Sequence, residues 1–204
     1  MSWQKRALDL FVSVPVFVLT LPLQIVAAVA IGLTMGTPVI FRQKRPGIHG
    51  EPFEMLKFRT MRPIDPVRGW TDDASRLTKV GQFLRSTSID ELPSLFNVIR
   101  GDLSLVGPRP LLMEYLELYS PEQARRHEVT PGLTGLAQVS GRNLLSWEDR
   151  LRLDVEYVDR QSIWLDLQIL FQTVWAVVSR NGISEEGGAT MSKFRGTRAD
   201  LSWE

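Results

Sequence analysis

The residues with the clearest capacity for chemistry are two adjacent carboxylates, Asp90 and Glu91, in Arg85-Ser-Thr-Ser-Ile-Asp90-Glu91-Leu-Pro93-Ser-Leu-Phe-Asn-Val-Ile-Arg100-Gly101. Leu92, Leu95, Phe96 and Ile99 recur at helical spacing, and Arg100-Gly101 reads as the helix C-terminus. Proline costs no hydrogen bond only in the first helical turn, so Pro93 predicts a helix with Asp90 as its N-cap. A Ser88-x-x-Glu91 capping box is the rival register, but it pushes Pro93 beyond that turn. In either register the carboxylates sit at a helix N-terminus, where free amides and the macrodipole favour negative charge. An ionised Asp there can act as a nucleophile or metal ligand, and the same amides can hold a phosphate. Capping alone is the simpler explanation of an isolated Asp-Glu pair, so the neighbouring residues decide.

Those neighbours favour phosphate chemistry. Gly101-Asp102-Leu-Ser104-Leu-Val-Gly107-Pro108-Arg109-Pro110 sets Arg109 between two prolines, in a stiff turn that would hold its guanidinium as a bidentate phosphate clamp. Farther on, Pro131-Gly132-Leu-Thr134-Gly135-Leu-Ala-Gln138-Val-Ser-Gly141-Arg142-Asn143 is a glycine-spaced segment dense in polar donors. It contains neither G-x-x-x-x-G-K-[ST] nor G-x-G-x-x-G, so it is neither a P-loop nor a Rossmann fingerprint. His127 reads as a structural hydrogen-bonding residue.

The elements that must carry these groups include an unusual N-terminus. From Leu10 to Phe41 there are 32 residues without Asp, Glu, Lys or Arg, against about 20 needed to span a bilayer. The run is too long for the apolar part of a signal peptide. Pro22 falls near its middle, with Pro15 earlier, and a break at Pro22 leaves two halves that are each too short to cross. Lys5 and Arg6 precede the run, and Arg42, Lys44 and Arg45 follow it, so the positive-inside preference pulls both ends to one side. A re-entrant helix-break-helix over residues 1–41 satisfies both tendencies; a single proline-kinked spanning helix is the alternative.

The rest of the 204-residue chain, 42–204, reads as one catalytic domain. Its balance of 24 basic and 23 acidic residues gives no general reason to expect nucleic acid as a partner. Zero cysteines exclude disulfide scaffolds, thiol nucleophiles and thiolate metal sites. Between Arg42 and Ile89, however, ten basic residues face five acidic ones, a local excess suited to anionic headgroups or a phosphorylated substrate. Val39 to Gln43 and Phe53 to Met61 read as short strands about the Pro46-Gly47 and His49-Gly50 turn signals. Trp147, Leu151, Val155 and Val158 mark an amphipathic helix beginning at Ser146. Ile163 to Val178 is more apolar but is interrupted by Asp166, Gln168, Gln172 and Thr173, as expected of a helix lying in a membrane interface or buried in a core. The fold class expected is α+β and mostly helical.

Taken in order, Lys5-Arg6-x-x-Asp9, Lys57-Phe58-Arg59-Thr60-Met61, Asp90-Glu91-Leu-Pro93, Gly101 to Pro110 and Pro131 to Arg142 resemble the bacterial sugar transferase family, the monotopic phosphoglycosyl transferases. The resemblance covers nearly the whole chain and corresponds to the family's minimal form. It implies a re-entrant membrane helix beneath a small domain on the cytoplasmic face of the bacterial inner membrane. It further implies a UDP-sugar donor, a polyprenol phosphate acceptor, Mg²⁺, and release of UMP by two displacements. Carried onto this chain, Asp90 is the nucleophile and Glu91 its partner, with both as metal-ligand candidates. Arg109, Arg85, Lys57, Arg59 and Arg142 become the phosphate-binding cations, and Pro22 marks the membrane break. The family often has Ser-Pro at that break; here it is Leu21-Pro22, which leaves Thr20 as the nearby hydroxyl. The tail from Gly182 to Gly196 is most similar to members that initiate protein glycosylation with an N-acetylated amino sugar such as diacetylated bacillosamine. Self-association and downstream glycosyltransferases are compatible as partners. The rival classes are a lipid-binding scaffold, which leaves Asp90, Glu91 and the Pro-Arg-Pro turn without a use, and a diphosphate hydrolase with water as acceptor.

Overall fold

The computed structural model describes residues 2–141, 145–179 and 193–196, which form a mostly helical α+β structure. The Ser2 hydroxyl accepts the Lys5 N–H at 3.2 Å and opens helix α1 (Trp3–Leu19), which carries Pro15 in its interior. Thr20 ends α1, and helix α2 (Leu21–Met35) follows with its axis bent by 58°. The break therefore lies at Thr20 rather than at Pro22. Pro22 sits in the first turn of α2, where the N–H it lacks would have had no helical partner. The Thr20 hydroxyl donates to Val16 O at 2.7 Å, which also accepts the Thr20 N–H, and accepts from Gln24 Nε2 at 3.1 Å. At about 1.5 Å per residue the two helices measure about 26 and 23 Å, each short of a hydrocarbon core of about 30 Å. No single helix among the described residues is long and apolar enough to cross a membrane.

A β-hairpin follows, β1 (Ile40–Pro46) against β2 (Pro52–Phe58), in the antiparallel register Ile40–Phe58 to Pro46–Pro52. The strands expected from the turn signals are present, with β2 ending three residues before Met61. Two short helices, α3 (Asp73–Arg76) and α4 (Lys79–Ser86), lead to the segment bearing Asp90 and Glu91. Next come α5 (Ser94–Arg100) and β3 (Ser104–Val106). After α6 (Pro121–Ala124), β4 (Gly132–Thr134) pairs in parallel with β3. Helices α7 (Leu136–Ser140), α8 (Trp147–Arg160) and α9 (Ile163–Val178) complete the described elements. Ser146 caps α8, accepting the Asp149 N–H at 3.1 Å, so that helix starts where its sequence pattern predicts.

The main core gathers Met55, Leu95, Val98, Leu103, Leu105, Val106, Tyr157 and Ile169 between the hairpin, α5, the β3–β4 pair and the last two helices. Polar side chains stitch this core together. Fully buried Asn97 on α5 donates to Glu54 O at 2.8 Å and accepts the Leu56 N–H at 3.0 Å, while Ser94 Oγ donates to Leu56 O at 2.6 Å. Helix α5 is thereby locked to β2, which bears Lys57. Arg6 on α1 donates to the Val98 and Ile99 carbonyls at the end of α5. Asp9 accepts from the Leu105 N–H at 3.0 Å, and Lys5 pairs with Asp166 at 2.7 Å. The N-terminal helix is thus held by specific polar contacts rather than by apolar packing alone.

The outward surfaces reverse the usual pattern. Phe11, Leu19, Val26 and Leu33 on α1 and α2 are largely exposed, as are Trp164, Phe171 and Trp175 on α9. On α9 it is the charged Asp166 that is buried, together with Ile169. Two apolar faces are left uncovered beside a polar-stitched interior, which is unusual for a surface facing water.

Candidate active site

Asp90 and Glu91 lie in a single 3₁₀ turn, Ile89–Glu91, that precedes α5. Neither expected cap is formed. Helix α5 begins at Ser94 with Pro93 in the cap position, and Ser88 turns the chain in a left-handed conformation (φ 57°) with no side-chain capping bond. Pro93 has no N–H for Asp90 to cap, so the turn closes one residue earlier through its own backbone, Glu91 N–H to Ser88 O and Leu92 N–H to Ile89 O. Both carboxylates face a cavity of about 1040 Å³.

Glu91 is the hub of the charge arrangement. Its Oε1 accepts from Lys57 Nζ at 2.7 Å and from Arg109 Nη2 at 2.6 Å, which joins β2 to the Pro-Arg-Pro turn. The place of Arg109 depends on the β3–β4 pair: a Cβ added to Gly132 would lie 2.0 Å from Gly107 N, so only glycine lets the two backbones meet just before Pro108. Burial pushes the Glu91 carboxyl up, but Arg109 and Lys57 outweigh it and hold the group well below the usual carboxylate range. Asp90 behaves oppositely. Burial, followed by the negative charge of Glu91, pushes it up to about 6, against the pull of Lys57, Arg85 and Arg109. Among the described residues no side chain or backbone N–H is seen donating to the Asp90 carboxylate. Two adjacent carboxylates are thus split into one locked and ionised and one exposed to the cavity, a division that separates roles in catalytic pairs.

The other expected cations divide. Arg85 lines the cavity and donates to Thr60 Oγ1 at 3.1 Å. Arg59 also borders it, and its Nη2 donates to the Met35 and Gly36 carbonyls, closing the end of α2. Arg142 lies outside the described residues. Two residues not assigned from the sequence line the cavity as well. Arg45 on β1 donates to Gln43 Oε1 at 2.7 Å, and burial, reinforced by the positive charge of Arg109, draws its guanidinium down to about 10. The Gln138 amide, on α7, is buried with neither its nitrogen nor its oxygen paired. Basic and polar sequence neighbourhoods signalled both, but not their convergence. His127 is structural as expected: it is buried, Nδ1 approaches Gly47 O at 3.4 Å, and burial next to Arg126 draws the ring down to about 4.

The donor set suits a hard divalent cation. Among the described residues no cluster of three or more acidic or histidine side chains could cage a metal alone. Mg²⁺, however, is commonly held by one or two carboxylates completed by water and substrate phosphates, and the Asp90 carboxylate beside Glu91 fits that pattern.

Arg45, Lys57, Arg85 and Arg109 line the cavity together with the two carboxylates, a set of groups suited to a phosphate-bearing ligand, and α1, α2 and α9 leave large apolar side chains exposed. Comparison with known proteins gives the class more closely. Residues 1–180 match the bacterial sugar transferase family, and the chain belongs to it. It is 50% identical to EpsL of Bacillus subtilis, an uncharacterised sugar transferase, over 95% of this chain and 96% of that protein. It is 44% identical to a UDP-glucose:undecaprenyl-phosphate glucose-1-phosphate transferase of Klebsiella pneumoniae, over 84% of this chain but 39% of that enzyme. To an undecaprenyl-phosphate galactose phosphotransferase of Salmonella typhimurium it is 38% identical, over 87% and 41% respectively. The chain therefore spans about two fifths of the length of those two enzymes.

Proposed function

We propose that this protein transfers a sugar 1-phosphate from a UDP-sugar to a polyprenol phosphate, releasing UMP, through a covalent intermediate on Asp90. The observation that carries the reading is the division of the carboxylate pair: Glu91 tied to Lys57 and Arg109, Asp90 left facing the cavity. Relatives whose names specify UDP-sugar and undecaprenyl-phosphate chemistry support it.

In the first displacement an Asp90 oxygen attacks the β-phosphorus, the one bearing the sugar. The bond from that phosphorus to the bridging oxygen breaks, and the oxygen leaves with UMP. In the second, an oxygen of polyprenol phosphate attacks the same phosphorus and the Asp90 carboxylate departs. Both nucleophiles are anionic, so neither step requires a proton to be removed from the attacking group. A covalent intermediate lets one cavity serve a soluble donor and a lipid-borne acceptor in turn. Arg109, Lys57 and Arg85 orient the diphosphate and offset the charge gathered at the attacked phosphorus. Asp90, with Glu91 beside it, would hold Mg²⁺, which supplies Lewis-acid neutralisation of the diphosphate. The cavity, at the upper end of the range of about 300–1,000 Å³ for small-ligand sites, has room for a nucleotide sugar.

The uncovered faces of α1, α2 and α9 fit a bilayer surface. The bent helix pair, too short in either half to cross, fits a re-entrant entry into one leaflet, and the basic residues flanking it, Lys5, Arg6, Arg42, Lys44 and Arg45, favour the cytoplasmic face. The donor is a UDP-hexose. The sequence tail favours an N-acetylated amino sugar, but only residues 193–196 of that tail are described, where Phe194 packs on Tyr115 and Trp147.

The test is product analysis with detergent-solubilised protein, Mg²⁺ and four donors: UDP-glucose, UDP-galactose, UDP-N-acetylglucosamine and UDP-diacetylbacillosamine. Acceptor-dependent release of UMP together with a lipid-linked sugar diphosphate is expected. Free sugar phosphate formed without acceptor would identify a hydrolase instead, and inactivity with all four donors would favour the scaffold.

A further inference from the structure

A buried ion pair lies directly behind Arg109. Arg126, on the turn Arg125–His127, and Asp154, on α8, form an ion pair at 2.7 Å with side chains 1% and 2% exposed. All three nitrogens of the Arg126 guanidinium donate within the protein. Nε donates to Asp154 Oδ2 at 3.0 Å, Nη1 to the Tyr119 hydroxyl at 3.2 Å, and Nη2 both to Asp154 and, at 2.6 Å, to the backbone carbonyl of Arg109. The Tyr119 ring covers the guanidinium, with its centroid 5.6 Å away.

We propose that Arg126 is a positioning residue for the transfer reaction and acts through Arg109. The argument rests on the reading of the cavity given above. Pro108 and Pro110 stiffen the turn but leave its carbonyls without internal partners; the Arg126 donor ties the central carbonyl to α8. The Arg109 guanidinium, on the other side of the same residue, reaches Glu91 Oε1 at 2.6 Å. A chain of short contacts therefore runs from Asp154 through Arg126 and the Arg109 backbone to the carboxylate beside Asp90. Arg126 borders the cavity but commits Nε and Nη2 to Asp154 and the Arg109 carbonyl, so its fork is turned to the protein.

Stability alone is a weak explanation for this arrangement. A buried ion pair is often matched or exceeded in stability by apolar residues of similar volume, because removing two charges from water offsets their attraction. What an apolar pair cannot supply is a rigid fork directed at one carbonyl. Misplacing a catalytic group by about 1 Å can cost about 100-fold in rate, so a device that fixes the Arg109 backbone has a direct use.

The experiment is a double-mutant cycle on UMP release, using whichever donor of the four-member panel is turned over, polyprenol phosphate and Mg²⁺. One arm replaces the pair together, Arg126→Met with Asp154→Leu; the other is Arg109→Lys; the third combines them. The proposal expects the pair replacement to lower kcat/KM by about 100-fold while thermal melting stays within a few degrees of the parent. In the Arg109→Lys background the same replacement should add less than about 3-fold, because the two changes disable one device. Arg126→Lys keeps the charge opposite Asp154 but loses the fork, and is the second variant should the pair replacement melt early; it is expected to lose about 10-fold with melting retained. Full activity in a variant that melts normally, or losses that multiply through the cycle, would overturn the proposal. Asp90→Asn is run alongside. Normal turnover in that variant would refute the nucleophile assignment, while the cycle still reports whether Arg126 works through Arg109.

Discussion

Replacing Lys5 by Met tests how the N-terminal helix pair is held beneath the domain. Lys5 Nζ lies 2.7 Å from Asp166 Oδ2, with side chains 4% and 1% exposed, and 3.0 Å from the Tyr157 hydroxyl, which in turn donates to Asp166 Oδ1 at 2.7 Å. In Lys5→Met the Asp166 charge stays buried with only the tyrosine hydroxyl as partner. Breaking one side of a buried pair in this way costs about 3–5 kcal/mol. For a chain of this size each kcal/mol lowers Tm by about 2–4 °C, so a fall of about 6–20 °C is expected in detergent-solubilised protein followed by tryptophan fluorescence. Lys5→Met combined with Asp166→Leu removes both charges and should recover most of the loss. The two residues are 161 positions apart in sequence, so the recovery also reports that α1 and α9 are in contact. A fall of less than about 1 kcal/mol in Lys5→Met, or no recovery in the double variant, would refute the reasoning, because an exposed pair behaves that way.

Asp90 has to be ionised to attack, so kcat/KM should fall as pH drops through about 6. Glu91 is the second-largest cause of that upward shift after burial; in Glu91→Gln the limb should move to lower pH, and an unmoved or raised limb would contradict the assignment. His127 is held neutral, with its pKa drawn from 6.5 down to about 4, so the unfolded chain binds the extra proton first. The stability this residue contributes is complete above pH 6.5 and declines toward pH 4, by less than the about 1.4 kcal/mol per pH unit of a full proton. Melting curves of His127→Gln should lack that part of the decline. Replacing Thr20 and Pro22 together by Leu should let α1 and α2 run on as one helix of about 50 Å, long enough to span. The chain has no cysteine, so labelling of Ser2→Cys in sealed vesicles reports whether the N-terminus has changed sides in that variant.

Much of this architecture is legible in local sequence, and the exceptions share a cause. The hairpin follows from the Pro46-Gly47 and His49-Gly50 turn signals, and α8 from Ser146 and the apolar spacing after it. The helix break was also legible, but its place was displaced by two residues because proline ends the helix before it and is then free to begin the next. The Asp90 cap failed for a related reason: a capped helix start needs backbone N–H groups in its first turn, and Pro93 removes one. Asp90, Glu91 and Arg109 stand out in the sequence as candidates because their spacing and stiff neighbours are local, and the fold brings them to one cavity. Long-range uses of charge do not stand out. Arg59 serves the end of α2, Lys5 finds Asp166, and Arg126 finds Asp154, and nothing in sequence distance announces those pairs. The polar face of α9 reads as an interruption of an apolar helix, whereas in the fold Asp166 is buried beside Ile169 while Trp164, Phe171 and Trp175 are exposed.

The central claim is that Asp90 carries the sugar phosphate between the two substrates. Intact-protein mass spectrometry tests it most directly, with the purified protein mixed with Mg²⁺ and each UDP-sugar of the panel in the absence of acceptor, beside Asp90→Asn. The account predicts a mass increase of one sugar phosphate with one donor, absent in Asp90→Asn and discharged by polyprenol phosphate. Release of UMP only when acceptor is present, with no adduct at any donor, would contradict it and require direct transfer from donor to lipid.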